Sequence, residues 1–171
     1  MALCITLPIK TTKHVYKQGA TTMQNYATLY EQDFFAWTQV QEKLIKQRAF
    51  DKLDLIHLQE ELHSMGVSEK RELSHRLEML LMHLLKWKYQ PTYINKKSWE
   101  RTIKEQRIKL HRHLKDNPSL KNETTFNERF IEAYETAILL AAEETGLDEK
   151  NFPLSCEWTQ PQVLDDSFFP N

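Results

Sequence analysis

Residues 73–89, LSHRLEMLLMHLLKWKY, decide the fold of this chain. Leucine recurs in this stretch every three or four positions, which is the spacing of one face of an α-helix. The apolar arc is wide enough to be covered from two sides, so this helix is predicted to be the central element of the core. We place it from about Glu69, after an N-cap at Ser68, to Tyr89, because Pro91 cannot continue a helix.

Helical spacing continues on both sides of the central helix. A first helix is predicted from Tyr30 to about Ala49, and a second from Leu55 to Met65 with a left-handed cap at Gly66. Two more are predicted after the central helix, over residues 98–116 and 125–145. The predicted fold class is therefore all-α.

The chain has the length of one ordinary domain, 171 residues with only three glycines. The prediction is a single-domain helical bundle of about five main helices over residues 29–170, with an irregular C-terminal strap. Residues 1–28 are predicted to be a flexible N-terminal tail, because no helical period is visible there. An over-long start, with Met23 as the true initiator, is the alternative hypothesis for this segment.

The formal net charge of −1 hides two opposed segments. Residues 1–85 sum to zero, residues 86–121 to +8, and residues 122–171 to −9. In one interpretation, the basic and acidic helices are antiparallel neighbours that neutralise each other. In the other, the basic segment 86–121 binds nucleic acid, with cations on phosphates and aromatic rings on bases. The candidate residues for that surface are the cations Lys86, Lys88, Lys96, Lys97 and Arg101, with the rings of Trp87, Tyr89, Tyr93 and Trp99 among them.

Two Glu-x-x-His pairs have the spacing of metal ligands in helical bundles, Glu60 with His63 and Glu72 with His75. Metal ligands must point into the bundle. The helical period instead places Glu72 and His75 on the solvent side of their helix, and Glu60 and His63 on a shoulder of theirs. These four residues are weak candidates, and no metal or other cofactor is predicted.

Arg76 and His83 have six residues between them, a spacing similar to that of HEPN-type ribonucleases. The resemblance implies that Arg76 would stabilise phosphate charge and that His83 would transfer a proton. The alternative is structural, with His83 half-buried at the edge of the core and Arg76 flanking it. We favour the structural interpretation, so the chain is predicted to be non-enzymatic.

Composition also predicts where the protein works. Cys4 and Cys156 lie near opposite ends of the chain and form no C-x-x-C pair, which indicates a reducing cytoplasm. No apolar run is long enough to cross a membrane, so no membrane association is predicted. The expected partner is another protein or a second copy of the chain.

The run from Arg76 to Pro91, followed by SWERTIKEQR at 98–107, resembles the family called "domain of unknown function 29". The resemblance also takes in YEQDFFAW at 30–37 and AAEETGL at 141–147. It covers about residues 29–170 and implies a small helical bundle of a kind frequent in cyanobacteria. It implies no activity and no functional residue. The primary hypothesis is therefore an uncharacterised binding or regulatory module, and the alternative is a HEPN-like ribonuclease or nucleic-acid-binding domain.

Overall fold

The computed structural model describes residue 26, residues 28–90, residues 92 and 94, and residues 96–171. Most of the predicted N-terminal tail, including Met23, lies outside the described residues. In the part that is described, the regular secondary structure is helical throughout, which confirms the all-α fold.

Residues 28–32 are helical, and four long helices follow them in the described part of the chain. They are α1 (Phe34–Lys46), α2 (Leu55–Tyr89), α3 (Lys96–Asp116) and α4 (Glu123–Thr145), with a short α5 at Gln160–Leu164. Single 3-10 turns occupy Phe50–Lys52, Pro118–Lys121 and Glu149–Asn151.

The predicted end of a helix at Gly66 is wrong. Leu55–Tyr89 is one helix of 35 residues, and Gly66 lies inside it. Among the described residues, only Arg48 and Gly146 have a positive φ, so Gly66 forms no left-handed cap. An interior glycine costs about 1 kcal/mol relative to alanine, which does not end a helix when helix-forming residues follow. Two predicted helices are thus one, and the described chain has four long helices rather than five.

Capping residues set the other helix boundaries. Asp33 interrupts the first predicted helix, because its side chain accepts a hydrogen bond from the backbone N–H of Ala36 at 2.9 Å and begins α1. Gly146 ends α4 with a φ of 71° and its N–H bonded to the carbonyl of Ala142, so this helix ends at residue 145 as predicted.

The chain divides into two compact units, Met1–Ser64 and Met65–Asn171. The described part of the first unit buries three residues, Trp37, Gln41 and Asp54. The indole N–H of Trp37 donates to a carboxylate oxygen of Asp54 at 3.1 Å, and the amide oxygen of Gln41 accepts from the N–H of Asp54 at 2.9 Å. The imidazole of His57 lies 2.6 Å from Asp54. This unit is held together by a polar centre.

The second unit has a larger, apolar core. The leucines of residues 73–85 are fully buried, as the sequence predicted. They pack in one cluster with the apolar faces of α3 and α4 and with buried side chains of the C-terminal strap. Members from outside α2 include Ile103, Leu110, Phe126, Ala133, Ala137, Phe152, Trp158 and Val163.

Among the residues that the structure describes, no helix combines the length and the hydropathy needed to cross a membrane.

Candidate functional site

Of the charged residues that the structure describes, Arg107 is the most deeply buried, at 0% exposed. Its guanidinium donates to the backbone oxygens of Val163 at 2.9 Å, Phe168 at 2.7 Å and Asp166 at 3.4 Å. Burial lowers the pKa of Arg107, but an arginine stays charged inside a protein. Arg107 therefore ties the C-terminal strap to α3. This role was not predicted, although Arg107 lies between the apolar residues Ile103 and Leu110 on the same face of its helix.

Part of the basic segment contacts the acidic C-terminal region. Lys86 is 4% exposed, forms an ion pair with Glu144 of α4, and lies 4.8 Å from the ring centre of Trp99. Lys88 donates to the carboxylate of Glu157 at 2.5 Å. This hydrogen bond raises the pKa of Lys88 and lowers the pKa of Glu157. Two of the predicted nucleic-acid contacts thus have intramolecular acidic partners.

The described aromatic rings of the basic segment pack against other side chains of the molecule. Trp99 is 6% exposed, and Trp87 lies against Phe169 with ring centres 4.8 Å apart. The ammonium of Lys96 lies over Trp87, 4.6 Å from the ring centre. Of the remaining candidate rings, Tyr89 packs against Phe152, and Tyr93 lies outside the described residues.

The side of α3 that faces away from Trp99 and Arg107 is exposed. We call it the cationic face, and it consists of Lys97, Arg101, Lys104, Ile108, Arg112 and Lys115, all exposed. Lys104 pairs with Glu100 of the same helix at 2.5 Å, and the other four cations form no ion pair with a described residue. Long side chains from the centre of this face enclose a shallow depression of about 700 Å³. The acidic third of the chain therefore covers one side of the basic segment and leaves the other free.

Arg76 and His83 both make structural contacts on α2. Arg76 forms an ion pair with Glu72, and its guanidinium lies 3.5 Å from the side-chain oxygen of Gln106. His83 is 7% exposed, and its Nδ1 lies 2.8 Å from the carbonyl oxygen of Met79. Burial lowers the pKa of His83. The structure places both residues in packing contacts and shows no hydrogen bond between them.

The two Glu-x-x-His pairs lie on exposed parts of α2. Glu60 and His63 are exposed, and no contact joins either to a third ligand. Glu72 is bound to Arg76, and Nδ1 of His75 lies 3.8 Å from Glu78. Within the described residues, no group of three His, Cys, Asp or Glu side chains converges as a metal site would require.

The first unit carries large apolar side chains on its surface, which the sequence analysis did not foresee. We call them the apolar surface: Phe34, Phe35, Ile45, Phe50, Leu55, Ile56 and Leu62, which are 47% to 73% exposed. Of Leu55, Leu58 and Leu62, which share one face of the second predicted helix, only Leu58 is half-buried. Helical periodicity shows that a face is apolar but not whether anything covers it.

The family model described as "Domain of unknown function DUF29" matches residues 29–169. No curated protein and no solved structure matches the chain.

Proposed function

This chain belongs to the family described as Domain of unknown function DUF29, a description that names no activity, so we propose its function from its own surfaces. It is a non-enzymatic binding module that takes up another protein through the apolar surface of the first unit. The observation that carries this proposal is the exposure of seven large apolar side chains between residues 34 and 62.

The size of the apolar surface supports an interaction. Phe35 is 73% exposed and Leu62 is 68% exposed, and water contact with such side chains is unfavourable. At roughly 100 Å² for each side chain, the seven expose on the order of 700 Å², close to the share of one partner in a standard interface.

The arrangement of the leucines indicates the chemistry of the partner. Leu55 and Leu62 lie seven residues apart on α2, so they point to the same side two turns apart, with Leu58 between them. This spacing forms the seam into which the apolar side chains of another helix pack. The expected partner therefore supplies an amphipathic helix.

The contacts of Arg76 and His83 favour this proposal over the ribonuclease-like alternative. The guanidinium of Arg76 is held by Glu72, and the imidazole of His83 is held by the backbone of Met79. A catalytic pair would need both groups free to reach a phosphate and its leaving oxygen. Their present contacts support a structural role for each.

The test captures binding proteins from a lysate of the source organism. Purified wild-type protein, a Leu55→Glu/Leu62→Glu double variant and a Leu154→Glu control are immobilised, and bound proteins are identified by mass spectrometry. Leu154 is 99% exposed in the second unit, so its substitution matches the chemistry but not the place. We expect a partner retained by the wild type and the control and lost from the double variant. Identical sets on all three would contradict the proposal, and RNA cleavage that is lost on His83→Ala would favour the alternative.

A further inference from the structure

The cationic face of α3 follows a straight line along its helix. Its residues are separated by steps of four, three, four, four and three, so they stay within an arc of about 80°. From Lys97 to Lys115 the face is about 27 Å long. It carries five cations around one apolar side chain, Ile108, which is 58% exposed.

A second exposed face of the same unit has the opposite charge. On α4, the exposed residues Glu128, Ile131, Glu132, Glu135, Leu139 and Glu143 lie on one side of the helix. Glu132 pairs with Arg129, and the other three carboxylates have no ion pair with a described residue. Ile131 is 60% exposed and Leu139 is 53% exposed. We call this the acidic face.

The two faces cannot meet within one molecule. The buried sides of α3 and α4 belong to one core cluster that contains Ile103 and Leu110 of α3 and Ala133 and Ala137 of α4. Both helices therefore turn their exposed sides away from that core. Within the described residues each face is therefore without its complement, which a second molecule can supply.

We propose that the cationic face of α3 in one copy of this chain packs along the acidic face of α4 in a second copy. The five cations then lie opposite four carboxylates, and Ile108 packs near Ile131 or Leu139. Opposite charges at the rim set the register and speed the encounter, while the apolar side chains exclude water from the centre. Two such contacts related by a two-fold axis close a dimer, whereas a single repeated contact builds an open chain.

The structure favours a second copy over a nucleic acid as the occupant of the cationic face. Among the described residues, the cationic face includes no exposed aromatic ring for base stacking, since Trp99 is buried. Glu100 and Glu105 flank the face, each paired with a lysine, and both would repel phosphates. An exposed isoleucine in the middle fits an apolar side chain of a protein partner better than a phosphate backbone.

The experiment measures the mass of the purified full chain by analytical ultracentrifugation at about 50 mM and about 500 mM salt. A basic-reversed variant carries Arg101→Glu and Arg112→Glu, and an acid-reversed variant carries Glu128→Lys and Glu135→Lys. The control variants Lys150→Glu and Glu149→Lys change exposed charges outside both faces. We expect the wild type and the controls to associate at low salt. The affinity of this association should fall roughly tenfold or more at high salt. Each reversed variant should be monomeric.

The decisive measurement is made on an equal mixture of the two reversed variants. The mixture contains one unchanged cationic face and one unchanged acidic face, and the two altered faces are again complementary. We therefore expect the mixture to associate although neither variant does so alone. This test is independent of the proposed function. The Leu55→Glu/Leu62→Glu variant keeps both faces intact, so it should associate like the wild type.

Several outcomes would overturn the proposal. The first is a wild type that stays monomeric at low salt at concentrations on the order of 100 µM. The second is a mixture of the reversed variants that fails to associate. The third is salt-dependent binding of a single-stranded oligonucleotide by a monomeric wild type, lost in the basic-reversed variant, which would assign the cationic face to nucleic acid.

Discussion

At the scale of single residues, Arg107 shows how a charge can serve as a core residue. Its guanidinium donates to three backbone carbonyls of residues 163–168 and lies 5.5 Å from the ring centre of Phe169. One of these oxygens belongs to the end of α5, and the other two belong to the irregular segment that follows it. One side chain with five fixed donors satisfies them together, which an apolar residue could not do.

Replacing Arg107 with methionine should destabilise the protein by about 3 kcal/mol, because buried carbonyls lose donors that are charged. Urea unfolding measures the loss, and limited proteolysis should cut the strap first. Arg112→Met on the exposed side of α3 is the matched control and should change stability by less than about 0.5 kcal/mol. Equal effects of the two substitutions would contradict the role assigned to Arg107.

His83 should make stability depend on pH. Its pKa is lowered chiefly by burial and also by the charge of Lys86, while the bond to Met79 and the carboxylate of Glu144 act in the opposite direction. The unfolded chain binds a proton near the ordinary pKa of about 6.5, and the folded chain does so only at lower pH. Its contribution is therefore complete above pH 6.5 and is lost as the pH falls towards the lowered folded pKa.

A His83→Gln variant should accordingly lose less stability than the wild type between about pH 7.5 and pH 5. Urea unfolding at several pH values gives the two profiles. His63→Gln, at an exposed position of α2, should follow the wild-type profile. Parallel profiles for His83→Gln and the wild type would show that His83 does not contribute.

At the scale of elements, Gly66 and Gly146 differ in backbone conformation, although each follows a helical stretch in the sequence. Gly146 adopts a φ of 71° and ends α4. Gly66 lies in the middle of α2, and a Cβ atom added there would meet no atom within 4 Å. Residues 62–68 of α2 are exposed, whereas the carboxylate of Glu69 accepts a hydrogen bond from the side-chain amide of Asn117. No described residue therefore covers the helix at Gly66.

Substitution by alanine should separate these two roles. Gly66→Ala should stabilise the protein by about 0.5–1 kcal/mol, since alanine loses less backbone entropy in a helix. Gly146→Ala should destabilise it by about 1 kcal/mol, since an L side chain is strained at positive φ. Urea unfolding followed by helical circular dichroism gives both values. Destabilisation by Gly66→Ala would instead support a helix end at Gly66.

At the scale of the whole molecule, the two compact units differ in what stabilises each. The described part of the first unit buries Trp37, Gln41 and Asp54, two of which are polar, and Nε2 of Gln41 has no hydrogen-bond partner. The second unit buries a continuous apolar cluster that includes every leucine between residues 73 and 85. Local stability follows the amount of apolar burial.

The first unit should therefore open more easily than the second. In native-state hydrogen exchange, amides of residues 36–46 should exchange at least about 100-fold faster than amides of residues 77–85. Amides of residues 103–114 in α3 serve as a second reference within the second unit. Equal protection of α1 and of residues 77–85 would contradict this difference.

Much of the fold was predictable because helix formation depends on nearby residues. The leucine period of residues 73–89, the cap at Gly146 and the all-α class all follow from spacing and composition within single elements. The break at Gly66 was predicted wrongly because glycine suits both a helix end and an exposed helix interior. Only the backbone conformation of the folded chain distinguishes the two.

The sequence by itself determined which faces of each helix are apolar or charged. It also showed that a net charge of −1 is the sum of +8 in residues 86–121 and −9 in residues 122–171. The tertiary structure decided what covers each face: Arg107 and Lys86 lie inside, the cationic face remains open, and Leu62 is exposed. The physical reason is that periodicity is a local property of the chain. Burial, in contrast, depends on segments such as residues 99–107 and 157–168, which are distant in sequence and meet only after folding.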